Sequence, residues 1–164
     1  MAKNNIDFKK IEERWRKFWE KEEIYKFNPK SKKPIYSIDT PPPTVSGRMH
    51  IGHAFSYSQQ DFIARFRRMF DSNVFYPFGT DDNGLATIRL IEKEKKVKAF
   101  NLGREKFVKL ALETLKKELR LEYIADWKNI GMSCDWNIFY TTIDSHCRKI
   151  TQRSFIELYK KGRE

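Results

Sequence analysis

Apolar residues near the start of the chain recur every three or four positions. Phe8, Ile11, Trp15 and Phe18 follow this spacing, and mostly charged residues fill the positions between them. Because a helix completes a turn every 3.6 residues, this spacing puts the apolar side chains on one face. We predict an amphipathic helix over residues 8–22, which packs as a leading arm on the domain or else binds a partner.

Two short apolar segments have the composition of β-strands. Residues 35–38 contain isoleucine and tyrosine and run towards three consecutive prolines, which end a strand. Residues 74–76 form a second such run, which we expect to close at Pro77. We predict that loops follow, over residues 43–49 and 79–83.

Helical patterns follow both loops. The first predicted helix begins near His50 or Gly52 and ends near Phe70, and the second covers about residues 84–96. The repeated order of strand, loop and helix is typical of an α/β fold with parallel strands and right-handed crossover helices. The first helix is expected to bury an apolar stripe made of Phe55, Phe62, Ile63, Phe66 and Met69.

The second half of the chain is predicted to be mostly helical. A long helix is expected from Gly103 to about Trp127 and a last helix from Ile143 to Lys161, with mainly loop over 131–142. The predicted apolar face of the long helix consists of Val108, Ala111, Leu112, Leu115 and Leu119. The last helix has its apolar positions at Cys147, Ile150, Phe155 and Tyr159.

The composition narrows the class of protein. The 164 residues are 40% hydrophobic and 15% aromatic, which suits a folded domain with its own core rather than a disordered chain. The start, MAKNNIDFKK, lacks the apolar run of a secretory signal, and no apolar stretch is long enough to cross a membrane. We therefore expect a cytoplasmic protein with no membrane partner.

The charge favours a polyanionic partner. Lys and Arg number 33 against 22 Asp and Glu, a net charge of +11, and such an excess suits nucleic acid, although a merely soluble basic surface gives the same count. Cys134 and Cys147 do not form a CxxC pair. We therefore expect plain thiols rather than a disulfide framework or a structural zinc site.

Two of the three histidines lie together in His50-Ile51-Gly52-His53, where the first loop enters a helix. Helix starts present free N–H groups and the positive end of the dipole, so they favour phosphate, and two imidazoles can donate further hydrogen bonds. Gly52 lets a phosphate or a flat ring approach the backbone. We interpret the segment as a nucleotide phosphate site. A metal-binding pair without an obvious third ligand, or incidental polar residues, are the alternatives.

Four segments together resemble the class I aminoacyl-tRNA synthetases, in particular their valine branch in its archaeal form. The resemblance covers about residues 8–161, and its departures are Ala86, where a proline is common, and Ile88, where an acidic residue is common. The segments are Pro41-Pro42-Pro43-Thr44-Val45-Ser46-Gly47-Arg48-Met49-His50-Ile51-Gly52-His53, residues 60–69, Phe78-Gly79-Thr80-Asp81-Asp82-Asn83-Gly84-Leu85 and Gly131-Met132-Ser133-Cys134-Asp135-Trp136.

The resemblance implies a Rossmann-type (HUP-like) domain that activates valine with ATP and Mg²⁺ and passes it to tRNA(Val). It implies that His50 and His53 are catalytic and hold the ATP phosphates, with Gly52 beneath the adenine. The remaining residues implied to bind ATP are Thr44, Ser46 and Gly47. Those implied to bind the amino acid are Asp81, which pairs with its ammonium group, and Pro41, Pro42 and Pro43.

Other roles for two of these residues stay open. Asp81 is also suited to cap a helix or a turn, with Asp82 and Asn83 as rivals, and Trp136 is more typical of core packing than of a pocket wall. The lysines and glutamates of residues 92–96 favour a solvated helix face.

The resemblance also implies a division of the chain. Residues 1–32 would form the helical arm and 33–164 the first half of the catalytic domain, ending near the point where the family inserts an editing domain. We expect a fragment that needs further parts for full activity, either a truncated chain or one whose C-terminal portion is a separate chain. The alternatives are a stand-alone adenylyltransferase with an HxGH loop and a non-catalytic RNA-binding piece.

Overall fold

Parallel strands connected by helices make up the chain, and the computed structural model describes residues 6–163 of it. The predicted arm, 1–32, begins with residues 1–5, and the predicted catalytic half, 33–164, ends at residue 164. These six residues lie outside the described part. The strands are β1 Ile35–Ser37, β2 Asn73–Phe75, β3 Pro77–Thr80 and β4 Asp135–Thr141. The helices are α1 Phe8–Lys21, α2 Ile51–Met69, α3 Leu85–Lys95, α4 Ala99–Leu102, α5 Arg104–Thr114, α6 Arg120–Asn129 and α7 Ser145–Lys160.

The strands form two parallel pairs. One strand of each pair, β2 and β3, lies within residues 73–80. β1 pairs with β2, and β3 pairs with β4 through a register irregularity at its start. An isolated parallel bridge between Thr44 and Asp81 extends the first pairing beyond the proline run. Since α2 connects β1 to β2, and helices α3 to α6 connect β3 to β4, the predicted α/β architecture is confirmed.

Two segments predicted as loops are strands. β3 includes Phe78, Gly79 and Thr80, and β4 occupies seven of the residues assigned mainly to a loop. Gly79 belongs in a strand here because the ring of Tyr140 lies over it. A Cβ on this glycine would stand 2.3 Å from the ring. The sequence does not show this approach, so the glycine and the neighbouring proline suggested a loop.

The predicted buried stripe of α2 is wrong. All five of its apolar side chains are between 48% and 82% exposed, whereas Asp61 and Ala64 are the buried residues of this helix. The helix therefore meets the core through a small side chain and a hydrogen-bonded carboxylate. Periodicity identified a helix but could not tell which face the rest of the chain would cover.

The predicted long helix is interrupted by a π-helical turn, Leu115–Leu119, between α5 and α6. Of its predicted apolar face, Leu115 is buried, but Val108 and Leu112 are about half exposed. The residues that α5 and α6 bury instead include Phe107, Tyr123 and Trp127, and the last of these is completely inaccessible. A π turn inserts extra backbone into a helix and so changes which side chains face the core downstream.

The N-terminal arm is tied to the start of the sheet. The backbone N–H of Phe27 donates to Asp135 over 2.8 Å, and Asn73 donates through its side-chain amide to the Asn28 carbonyl, also over 2.8 Å. The predicted helix is confirmed, but its apolar stripe is 41–68% exposed. Ile150, Phe155 and Tyr159 of α7 are exposed as well. The boundary at residue 32 stays a prediction.

Candidate nucleotide-binding site

The imidazole pair lies at the first turn of α2 and caps it. The Nδ1 atom of His50, the N-cap residue, accepts from the backbone N–H of Gly52 over 3.1 Å. The Nδ1 atom of His53 accepts in turn from the backbone N–H of His50, at 3.5 Å. The two side chains therefore satisfy helix-start donors reciprocally, as in a capping box.

This capping assigns the tautomer of both rings. A neutral imidazole has one N–H donor and one acceptor nitrogen, and each Nδ1 is here the acceptor, so each Nε2 carries the hydrogen. The ring centroids are 3.9 Å apart with an interplanar angle of 30°. Two N–H donors with fixed orientations consequently lie side by side at a helix N-terminus.

The two rings differ in environment. His50 is exposed, whereas His53 is half-buried with its ring 5.9 Å from that of Trp127 and 6.2 Å from that of Tyr123. Burial, and secondarily the charge of His50, holds the pKa of His53 below its usual 6.5. The neutral, donating form of this ring is therefore favoured at neutral pH.

Gly52 is required by the ring of its neighbour. A Cβ at this position would lie 2.9 Å from Cε1 of His50, closer than side chains tolerate. The structure thus gives a reason for the glycine that the sequence did not, namely room for the capping imidazole. Space for a ligand, the role implied by the family, stays a prediction.

The two motif loops are joined at Asp81. Its backbone N–H donates to the Pro43 carbonyl and its own carbonyl accepts from Val45, each over 2.9 Å. Its carboxylate accepts from the hydroxyl of Thr44 at 3.2 Å and from that of Thr142 at 2.9 Å. Asp81 does not cap the following helix, whose N-cap is Gly84.

A tyrosine of α2 is hydrogen-bonded to the proline run, residues 41–43. The hydroxyl of Tyr57 donates to the Pro41 carbonyl over 2.6 Å, and Pro43 is buried. Pro42 is half-buried beside them, while Ser46 is exposed and Gly47 adopts a positive φ of 142°. The prolines therefore give a fixed edge to the first loop, and residues 46–47 form its open part.

Several site-building residues were not singled out from the sequence. Asp126 of α6 accepts hydrogen bonds from Arg48 and from the backbone N–H of Met49, and Arg120 pairs with the buried Asp82. Thr142 donates to Asp81 from beyond β4. They lie 38 to 78 residues from their partners, and no local sequence pattern indicates contacts over such separations.

The fourth motif segment, residues 131–136, has a structural role. Ser133 donates to Asp61 through both its backbone N–H and its hydroxyl, each over 2.6 Å. Trp136 is half-buried, packs on the core and lies 5.0 Å from the ring of Phe78, as expected for a packing residue. Cys134 is buried and Cys147 is half-buried, and both are free thiols as predicted.

Two further properties concern only residues 6–163. In that range, no three or more His, Cys, Asp or Glu side chains converge so as to hold a metal ion. No helix in the same range is both long and apolar enough to span a lipid bilayer.

A parallel α/β fold with donors at the start of its first crossover helix defines a class of nucleotide-binding domain. The fold matches a chain in the crystal structure of the Agrobacterium radiobacter K84 agnB2 LeuRS–tRNA–LeuAMS ternary complex. The TM-score is 0.73 at 23% identity, over 96% of this chain and 18% of that one. The family model of the class I tRNA synthetases (I, L, M and V) matches residues 14–163. The chain therefore belongs to this family.

Curated relatives add a more specific similarity. The valine–tRNA ligase of Rickettsia akari (strain Hartford) is 48% identical over 160 residues, covering 97% of this chain and 20% of that protein. The enzyme of Rickettsia prowazekii (strain Madrid E) is 49% identical over 159 residues, covering 96% and 19%. The chain spans about a fifth of the length of these relatives. The archaeal form stays a prediction.

Proposed function

We propose that the chain supplies the ATP-binding front part of the active site of a valine–tRNA ligase. The observation that carries the proposal is the pair of imidazoles whose Nδ1 atoms are both occupied by the backbone, so that both Nε2–H groups are free to donate. The 48–49% identity to named valine–tRNA ligases supports the choice of amino acid. Cytoplasmic ATP, valine and tRNA(Val) would be the substrates.

The proposed chemistry has two steps. An oxygen of the valine carboxylate attacks the α-phosphorus of ATP, and the bond from that phosphorus to the bridging oxygen of the β-phosphate breaks. Pyrophosphate leaves, and valyl-adenylate remains. A ribose hydroxyl at the tRNA 3′ end then attacks the activated carbonyl and displaces AMP, giving valyl-tRNA(Val).

His50 and His53 would act on the first step. Negative charge increases on the phosphoryl oxygens as the pentacovalent state forms, and oriented N–H donors stabilise it without reorganisation. One such donor is worth about 10²–10³ in rate. The hydrogen bonds to Nδ1 leave the Nε2–H group of each ring for this role.

The remaining site residues would position the substrates. Thr44, Ser46, Gly47 and Gly52 would line the nucleotide, and the carboxylate of Asp81 would pair with the ammonium group of valine. Residues 41–43 would form an apolar wall beside that substrate. Mg²⁺ would accompany the ATP phosphates, as is usual for this ion.

The proposal can be tested in a chimaera in which this chain replaces the matched fifth of the Rickettsia prowazekii enzyme. We expect pyrophosphate exchange into ATP that depends on added valine. His53→Ala should reduce this exchange at least 100-fold, because a transition-state donor is removed, while cooperative thermal unfolding is retained. His146→Ala is the matched control, since His146 is exposed on α7, and it should keep the parental rate.

The alternatives make different predictions in the same assay. A stand-alone adenylyltransferase would exchange pyrophosphate equally well without an amino acid, and a non-catalytic RNA-binding piece would bind tRNA but support no exchange. Full activity of the His53→Ala chimaera would overturn the assignment of the imidazole pair.

A further inference from the structure

One helix, α6, reaches both motif loops. Near its first turn, Arg120 donates through Nε to Asp82, which directly follows Asp81, over 2.7 Å. Near its end, Asp126 accepts from the backbone N–H of Met49, which directly precedes His50, over 3.1 Å. The two attachment points are six residues apart, or about 9 Å along a helix.

The attachments are largely protected from solvent. The side chain of Asp82 is fully buried and that of Asp126 is only 11% exposed. The contacts run directly from two side chains of α6 to the loop residues. α6 therefore supports both loops, in addition to the backbone hydrogen bonds that join them at Asp81.

The residue after Asp126 contributes to the same support. Trp127 is completely buried, and its ring lies 4.6 Å from that of Tyr57 and 5.9 Å from that of His53. Tyr57 in turn holds the proline run through Pro41. Asp126 thus contacts the backbone directly before His50, and the next residue, Trp127, lies beside the ring of His53.

The π-helical turn before α6 brings these residues to the loops. A regular helix running on from α5 would present a different set of side chains, because the π turn inserts extra backbone at Leu115–Leu119. Arg120 begins α6 directly after this turn. The irregular turn therefore lies directly before a helix whose residues both pack in the core and contact the motif loops.

We propose that Asp126 is a positioning residue that acts through the Met49 backbone on the imidazole pair, from a helix that also contacts the second motif loop. This inference rests on the proposed function. The Arg48 guanidinium also pairs with Asp126, over 2.8 Å from Nε, but Arg48 is 68% exposed. The guanidinium donates from Nη2 as well, so Arg48 and the Met49 N–H share one carboxylate. We assign the effect on the site to the bond that reaches the backbone before His50.

Three substitutions in the chimaera separate these parts. Asp126→Ala removes both the acceptor and the charge, Asp126→Asn keeps an oxygen that can accept from Met49, and Arg48→Ala keeps the carboxylate but removes its exposed partner. For Asp126→Ala we expect kcat of valine-dependent exchange to fall about 10- to 100-fold, since small displacements of catalytic groups cost this much. The KM for ATP should change less than about 3-fold, because the donors act chiefly in the transition state.

The other two variants should retain kcat within about 3-fold of the parent, given that each preserves the acceptor. An ion pair with a purely structural role predicts instead that Arg48→Ala and Asp126→Ala lose the same activity and the same thermal stability. That result would overturn the proposal. If Asp126→Ala does not unfold cooperatively, the Asp126→Asn variant decides, and a loss of more than about 10-fold in its kcat is contrary to the proposal.

The His53→Ala variant distinguishes a failure of the positioning role of Asp126 from a failure of the proposed function. If it is inactive while Asp126→Ala matches the parent, the positioning role is wrong and the proposed function stands. If His53→Ala is fully active, the proposed function itself is wrong.

Discussion

His53 combines two tasks in a single side chain. Its Nδ1 atom accepts from the His50 backbone at the start of α2, and its Nε2–H is left for a ligand. The first task needs the neutral ring, because a proton on Nδ1 would remove the acceptor. The half-buried position against Trp127 and Tyr123 favours that neutral form.

The shifted pKa of His53 makes a prediction about stability and pH. The pKa is lowered from 6.5 on folding, so the unfolded chain binds the proton more readily than the folded one. The stabilisation is therefore fully present above about pH 6.5 and is lost as the pH falls through the folded-state pKa. We expect the free energy of unfolding to decrease over this interval.

Urea unfolding of the 164-residue chain at a series of pH values measures this decrease. His53→Asn should show a weaker dependence on pH in the same interval, whereas His146→Asn should follow the parent. Proton NMR provides a direct check through the ring signals of His53, and a midpoint above 6.5 would contradict the expectation.

At the scale of elements, α2 is attached to the segment before β4 by a polar cluster. Asp61 accepts from the N–H and hydroxyl of Ser133 and from Arg65 at 2.7 Å, while Arg68 donates to the Ser133 carbonyl at 2.7 Å. Ala64 lies one turn further along the same face and is fully buried. This combination explains why a helix with many apolar residues contacts its own domain through small and charged ones.

Removal of this carboxylate should destabilise the fold. Asp61→Ala leaves Ser133 and Arg65 without their buried acceptor, and we expect a loss of about 3 kcal/mol in the free energy of unfolding. Asp71→Ala is the matched control because Asp71 also pairs with a basic residue, Lys33, but both side chains are more than half exposed. It should cost less than about 1 kcal/mol. Equal effects in urea unfolding would show that the buried cluster has no special role.

For the molecule as a whole, much apolar surface is left uncovered. The predicted stripe of α2, the stripe of α1 and the apolar positions of α7 are all largely exposed in the part of the chain that the structure describes. The curated relatives are about five times as long as the segment they share with this chain. Exposed apolar patches of this kind favour association with other protein surface.

The isolated chain should therefore self-associate through α2. A double variant, Phe62→Lys with Phe66→Lys, removes apolar surface from the exposed face, so it should reduce the sedimentation coefficient at high concentration. Its free energy of unfolding should change by less than about 0.5 kcal/mol, as is usual at exposed positions. Ala64→Lys on the buried face of the same helix should instead prevent stable folding. A large destabilisation by the double variant would show that the face is packed in the folded chain.

The extent to which the sequence predicted the molecule varies with the range of the interactions. The bounds of α1, α2 and α3 agree with the predicted helices to within a few residues, because capping and periodicity are local. β3 and β4 were missed, since their stability comes from pairing across more than 50 residues and from the Tyr140 ring over Gly79. Periodicity also gave the wrong buried face for α2, because contacts with distant elements determine burial.

The sequence by itself determined the first three long helices, the class of fold and the motif with two histidines at a helix start, all of which depend on neighbouring residues. Only the tertiary structure decided which ring nitrogens are free, that Asp81 joins the two loops, and that Asp126 holds the residue before His50. These properties depend on side chains brought together by folding from positions far apart in the chain. Their physical basis is the requirement that buried or helix-start polar groups find hydrogen-bond partners, and distant elements supplied several of those partners.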